Sequence, residues 1–226
     1  MTPAPGGSAQ KRSAAARNVA PGGRPSSPTH STTTRGAERG LSVIELLFAL
    51  ATSVTVGALA MAATTAAIDE MRTAVAARYI AGRIGSARID AVRRASAVAL
   101  RFEAVDGDYV YAPYEDGNGN GVRTAEIREG IDRPVGAFER LADKFPGVRF
   151  ELAAGVPDAD GQAGTGGDGV RIGAARILTM SPDGTATSGT LYVRGRRGQY
   201  AVRVLGVTGR TRMLQYQPGN RTWLSR

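Results

Sequence analysis

The most constraining stretch of this chain is Leu41 to Ile68, 28 residues with a single ionisable side chain, Glu45. As a helix it would extend about 42 Å, more than the roughly 30 Å of a bilayer's hydrocarbon core. Apolar residues dominate it and proline is absent, so nothing interrupts the helix. Arg35 and Arg39 stand just before it. Glu45 is the anomaly. A charged side chain inside a membrane span costs about 2.5–3.5 kcal/mol on insertion scales, and the sequence offers it no partner within the same helical turn.

Arg39-Gly40, Leu41, Ser42 and Glu45 supply a pattern that accounts for the anomaly. A basic leader ending in Gly, an apolar first residue, a small hydroxyl residue and a Glu at that spacing resemble the class III signal of type IV prepilins and type II secretion pseudopilins. Leu41 departs from the usual Phe of that signal. The resemblance implies cleavage after Gly40 by a prepilin peptidase on the cytoplasmic side, then N-methylation of Leu41. The new amino group of one subunit would lie near Glu45 of a neighbour, giving the carboxylate its cation. It also implies a single-pass protein of the bacterial inner membrane, its globular part in the periplasm, assembled into a pilus or pseudopilus. An ordinary signal anchor with a stray glutamate is the plainer reading, and the joint spacing of Gly40, Ser42 and Glu45 favours the first.

Residue types exclude several chemistries. The chain has no Cys, and its one histidine, His30, lies in the expected leader, residues 1–40. A mature chain without Cys or His has no Cys/His nucleophile and none of the usual zinc ligand sets. No GxxxxGK[ST] loop occurs, so nothing suggests nucleotide hydrolysis. A membrane-anchored periplasmic enzyme is therefore disfavoured, and no cofactor is implied. The net charge of +9 is uneven: residues 184–226 hold eight Arg and no acid, whereas residues 41–183 hold 15 basic and 19 acidic residues. The basic C-terminal segment favours an anionic partner.

Beyond the apolar half (41–68), residues 69–96 keep a helical period. Met71, Val75, Tyr79, Ile80, Ile84, Ala87, Ile89 and Val92 mark an apolar stripe, and Arg72, Arg78, Arg83, Arg88, Arg93 and Arg94 fill much of the other surface. One helix is expected from about Leu41 to Ala95, with Gly82 and Gly85 allowing close approach to a sheet. From Ala97 the period becomes two, the signature of strands. Strands are expected at Val98–Phe102, Tyr109–Tyr111, Val148–Leu152, Arg176–Met180, Thr190–Arg194, Tyr200–Gly206 and Thr211–Gln215, with a short helical turn over 138–144 and a mobile surface loop over 155–169. The expected fold is α+β and type IV pilin-like: a long N-terminal helix, its second half packed on the antiparallel β domain of residues 97–226.

Three segments narrow the resemblance. Ala87-Arg88-x-x-Ala91-x-Arg93, Ser181-Pro182-Asp183-Gly184-Thr185 and Thr208-Gly209-Arg210-Thr211-Arg212 are similar to the GspH/FimT family. That family holds the H-type minor pseudopilins of type II secretion and the FimT-type minor pilins of type IV pili. Together with the processing signal the likeness spans about residues 35–216. In the FimT branch a GRxR motif is implicated in binding DNA during natural transformation, and Gly209–Arg212 fits it. On a strand, Arg210 and Arg212 would point to one face about 6–7 Å apart, a spacing that suits phosphates on double-stranded DNA. Arg194, Arg196, Arg197 and Arg203 are the candidates to extend the patch, with no acid between them in sequence to compete. A solvated basic face, or contact with another pilin or pseudopilin subunit, is the plainer reading. An H-type pseudopilin without DNA binding is the alternative function.

Asp116, Asn118 and Asn120 alternate with glycines, like the first half of a calcium-binding EF-hand loop, and Glu126 is the nearest later carboxylate. The twelfth loop position, where the bidentate acid belongs, is Ile127. A plain Gly/Asn turn is the favoured reading, with these four as weak metal candidates.

Overall fold

The computed structural model describes Gly40, residues 42–164 and residues 166–226. Of the expected leader only Gly40 is described, and Leu41 lies outside the described residues. The chain divides after Leu46 into two units. Helix α1 runs unbroken over Val43–Arg94, close to the expected bounds. Among the described residues it is the one helix long and apolar enough to cross a membrane. Ala95 ends it in the left-handed region at φ +52°, its N–H donating to Val92 O at 3.3 Å.

The rest of the chain runs β1 (Val98–Val105), β2 (Asp108–Glu115), α2 (Thr124–Glu129), β3 (Arg133–Pro134), β4 (Glu139–Arg140), α3 (Leu141–Lys144), β5 (Arg149–Leu152), β6 (Gly167–Asp168), β7 (Val170–Arg171), β8 (Ile177–Met180), β9 (Gly189–Arg194), β10 (Gln199–Leu205), β11 (Arg210–Gln217) and β12 (Thr222–Ser225). A strand lies at every expected position. The additions are short: α2, the two-residue strands β3, β4, β6 and β7, and β12. One sheet has the order β3-β2-β1-β8, with β4 also on β2; the other has β12-β11-β10-β9-β5-β6, with β7 also on β9. Every pairing is antiparallel. A long apolar helix followed by an antiparallel β domain is compatible with a pilin-like α+β fold.

Alternation sorts each sheet into two faces. Val98, Leu100 and Phe102 of β1, with Leu191, Val193, Val202 and Val204 of β9 and β10, join α1 in one core. Phe150 of β5 meets the rings of Phe102, Tyr109 and Tyr111 edge-on, at centroid separations of 5.6, 6.3 and 5.9 Å that are typical of aromatic pairs, sealing one sheet to the other. The outer faces are covered by loops. Ala99, Ala112, Tyr114 and Ile177 pack with Val122 and Ile127 from the segment after β2. Tyr192, Ala201 and Leu214 pack with Val156 and Ala159. The 155–169 segment, expected as a mobile surface loop, is thus anchored: Trp223 donates to Pro157 O at 2.9 Å, and Ala159 N–H donates to the Tyr192 hydroxyl at 2.9 Å.

The stripe that α1 buries differs from the expected one. Thr73, Ala76, Ala77, Ile80, Ile84, Ala87 and Ala91 face the sheets, while Met71, Val75, Ile89 and Val92 are exposed, Met71 at 67%. Small residues let the helix lie close to the sheets, and a pattern search weighted toward large apolar side chains passes over Ala. Gly82 and Gly85, expected to permit that approach, instead meet open space. Arg83 and Arg88, expected on the outer surface, turn inward. Arg83 pairs with Glu139 at 3.6 Å, and Arg88 Nε donates to Gly184 O at 3.5 Å.

Candidate functional site

At the start of α1, Ser42-Val43-Ile44-Glu45 forms the carboxylate half of a capping box. Glu45 reaches back to accept the Ser42 N–H at 3.4 Å, and Leu46 N–H donates to Ser42 O at 3.1 Å. This corrects the expectation that Glu45 has no partner within its turn: S-x-x-E is the sequence signal for such a cap, and it was there to be read. A backbone N–H is a neutral donor, however, so the cap orients the carboxylate without neutralising it. Gly40, Ser42 and every described side chain from Val43 to Leu50 are exposed.

The basic candidates fall into two groups. Arg210 and Arg212 lie on β11, both exposed, and among the described residues neither side chain has an ion pair or hydrogen bond. Their face is the outer one, away from α1, because Arg212 lies opposite Arg203 while Met213 lies opposite the core residue Val202. Arg203 shares that face but is engaged by Asp160 at 2.6 Å and by Thr190 Oγ1 at 3.5 Å. Arg194, Arg196 and Arg197 sit at the other end of β10, where β9 and β10 join. Along the strands, Arg203 and Arg212 lie about 13 Å from that end and Arg210 about 20 Å. Arg194 is paired with Glu151, which Arg149 also engages. The expectation that all six arginines form one patch free of competing acid is therefore corrected. The acids that compete, Asp160 and Glu151, come from remote parts of the chain. Arg210, Arg212 and Arg203 remain as the coherent set.

Beside Arg203 the anchored loop and the strand ends enclose a cleft of about 630 Å³ lined by Asp158, Asp160, Arg171, Thr190 and Tyr192. Asp158 pairs with Arg171 at 3.2 Å, so both acids of the cleft carry a partner. Sequence reasoning missed the cleft because its walls are far apart in the chain.

The three segments that narrowed the family resemblance meet at Arg88. Its guanidinium lies against Gly184 of the Ser181–Thr185 turn and against Gly209 of Gly209–Arg212. Gly209 has φ +58° and is buried; any side chain there would collide with Gly184 O and with Arg88. The glycine of the motif thus has a structural cause, a tight turn that delivers Arg210 to the start of β11.

In the 116–121 loop the Asp116 carboxylate accepts N–H groups from Asn118 at 3.1 Å, Gly119 at 2.7 Å and Gly121 at 2.6 Å. Asn118 Oδ1 accepts the Asn120 N–H at 3.4 Å, and Asn120 Nδ2 donates to Glu126 at 2.7 Å. Burial pushes the Asp116 pKa up, but these backbone donors outweigh it and hold the carboxyl below its ordinary value. The oxygens that would ligate a cation serve here as the acceptors that shape the turn. Among the described residues no three His, Cys, Asp or Glu side chains converge as a metal cluster.

No family model, no curated protein and no solved structure matches the chain.

Proposed function

We propose that this chain is a non-enzymatic minor subunit of a type IV pilus or a type II secretion pseudopilus, of the GspH/FimT kind. The observation that carries the reading is Glu45, the single ionisable residue of the exposed apolar half of α1, whose second half packs on an antiparallel β domain. Lipid and neighbouring apolar helices suit that surface, and a neighbour's methylated amino terminus suits the carboxylate. Its partners on this reading are a prepilin peptidase, the membrane and other pilin or pseudopilin subunits. It sits in the inner membrane with its β domain in the periplasm. The test is mass spectrometry of the membrane form, which should find N-methylated Leu41 as the first residue. Gly40→Ala should leave the precursor uncut. A chain starting upstream, or one cut near Ala60, refutes the reading.

Within this reading, double-stranded DNA is the proposed ligand of Arg210 and Arg212, with Arg203 beside them. Two unpaired guanidiniums on one strand face support it. Binding would be weak and sequence-independent, near 10⁻⁴–10⁻⁶ M for non-specific contacts, with a log–log salt slope of about −0.9 per phosphate. Arg210→Gln with Arg212→Gln should flatten that slope by about two contacts, while Arg72→Gln with Arg78→Gln should change little. Absent binding at low salt, or equal binding by the double variant, would give first place to the pseudopilin without DNA binding.

A further inference from the structure

We infer that the β9–β10 hairpin tip, Gly195-Arg196-Arg197-Gly198, docks on the anionic headgroups of the bilayer that the apolar half of α1 crosses. The inference rests on the membrane-anchor reading above and reassigns Arg196 and Arg197 from nucleic acid to lipid.

The tip is fixed to the helix. Gly195 N–H donates to Gly198 O at 2.9 Å, closing the turn. Both glycines lie against Thr73, which is fully buried and donates its hydroxyl to Asp69 O at 2.8 Å. A side chain at Gly195 would collide with the Thr73 hydroxyl, so only glycine allows this approach. Thr73 stands five residues past Ile68, the end of the apolar run. The run itself, about 42 Å as a helix, matches the roughly 40–45 Å of a bilayer with its headgroups. The five residues add about 7.5 Å, within one Debye length, about 8 Å at physiological salt. The hairpin is therefore pinned to α1 where that helix leaves the headgroup layer.

Charge at this end is lopsided. Arg196 and Arg197 are exposed and, among the described residues, have no ion pair or hydrogen bond. Asp69 is engaged by Arg72, and Glu151 is shared by Arg149 and Arg194. Glu70, the other acid at the helix exit, accepts from the neutral Gln215 at 3.1 Å and keeps its charge, which the second of the two arginines on Glu151 offsets. The two free guanidiniums are thus the surplus. A guanidinium at an anionic surface is worth about fivefold in affinity, so two are worth about thirtyfold at low salt.

The single tryptophan gives the readout. Trp223 pairs in register with Tyr216, and Gln215 pairs with Tyr200, so Trp223 lies at the hairpin end of the sheet. The full chain is reconstituted into vesicles of phosphatidylcholine alone or mixed with phosphatidylglycerol, each carrying a dansyl-labelled lipid. Energy transfer from Trp223 should be larger in the anionic vesicles and should fall on raising salt. Arg196→Gln with Arg197→Gln should remove the difference, while Arg210→Gln with Arg212→Gln should keep it. Equal transfer from both vesicle types, or an unaltered difference in the tip variant, overturns the inference and leaves the tip for a neighbouring subunit. A chain that fails to float with either vesicle overturns the anchor reading as well. One that floats yet shows equal transfer overturns this inference alone.

Discussion

Val43–Ile68 and Asp69–Arg94 belong to one continuous helix, yet apolarity and burial run in opposite directions along it. The first half carries Val, Ile, Leu, Phe and Met, and none of its described side chains is buried; Val43 is 74% exposed and Leu59 68%. The second half is charged and Ala-rich, yet it buries seven side chains against the sheets. The most hydrophobic surface is thus the one the fold leaves uncovered. Exposed singly, large apolar residues need no explanation, but a continuous apolar helix surface marks a membrane or protein partner. Helix–sheet packing depends on fit more than on hydrophobicity, and alanine meets that need. Placing the same substitution in each half tests the contrast.

The largest effect should come from a carboxylate placed in each half. Ala77→Glu puts an unpaired charge in a fully buried site, which should cost the β domain about 3–5 kcal/mol and shift its urea midpoint far down or prevent folding. Ala60→Glu, on the exposed half, should leave that midpoint unchanged and weaken membrane insertion by about 2.5–3.5 kcal/mol. Equal midpoints in the two variants would dissolve the contrast.

Glu45 sharpens it, because its bond to the Ser42 N–H gives this residue two separable properties. Glu45→Gln keeps an acceptor for the Ser42 N–H, since a capping box takes either residue, and removes the charge. Glu45→Ala removes both. Each should insert better than wild type, by up to about 2.5–3.5 kcal/mol, and neither should enter filaments if the carboxylate pairs with a neighbour's amino group. A Gln variant that assembles normally would reduce Glu45 to a cap.

In the second half, the contact between α1 and the sheets is also polar. Glu139 accepts from Tyr79 at 2.6 Å and Tyr111 at 3.1 Å, with Arg83 at 3.6 Å and Lys144 at 3.9 Å. Burial pushes its pKa up, but the Tyr79 hydrogen bond, Arg83, Tyr111 and Lys144 together hold it below the ordinary value. Burial likewise opposes, and the Tyr109 hydroxyl, Val170 N–H and Arg176 outweigh it, at Asp168. Burial and the bond to Asp168 push the Tyr109 phenol up to about 12. With carboxyl pKa values lower in the folded state, the unfolded chain binds more protons in acid. The stability these groups contribute is whole above the ordinary carboxylate range and is lost as pH falls below about 4. Glu139→Ala should cost about 2–4 kcal/mol at neutral pH, since it strands Arg83 and two phenols, and should flatten the acid slope of the urea midpoint. An unchanged slope would remove Glu139 from this role.

How far these features could be read in advance depends on their range in the chain. The strands were legible because Val98-x-Leu100-x-Phe102 and its like alternate locally, and the apolar span because one side chain in 28 is ionisable. The two-residue strands β6 and β7 carry no period to read. The buried stripe departs from the local hydrophobic pattern because Met71, Val75, Ile89 and Val92 outweigh Ala76, Ala77 and Ala91 in hydrophobicity while facing out. The arginine patch is smaller than the local charge pattern implies for a related reason: Asp160 and Glu151 lie 43 residues before Arg203 and Arg194. No local reading of charge can anticipate partners at that separation.

The smallest effect makes the cleanest comparison between the halves. Gly57 and Gly82 both sit inside α1, and a methyl group at either would meet open space. Neither has a positive φ, so alanine fits the backbone of both. An exposed helical Gly costs about 1 kcal/mol relative to Ala, partly through the greater freedom of the unfolded chain. Gly82→Ala should therefore raise the unfolding free energy of the β domain by about 0.5–1 kcal/mol, because Asp69–Arg94 unfolds with the sheets that bury it. Gly57→Ala should leave that quantity unchanged, because no described side chain of Val43–Ile68 is buried and its helix would persist in lipid or detergent after the domain has unfolded. Urea titrations of the full chain in detergent, followed through Trp223, measure both. A gain at Gly57 matching that at Gly82 would mean that the two halves unfold as one unit, and that the apolar half depends on the β domain for its helix.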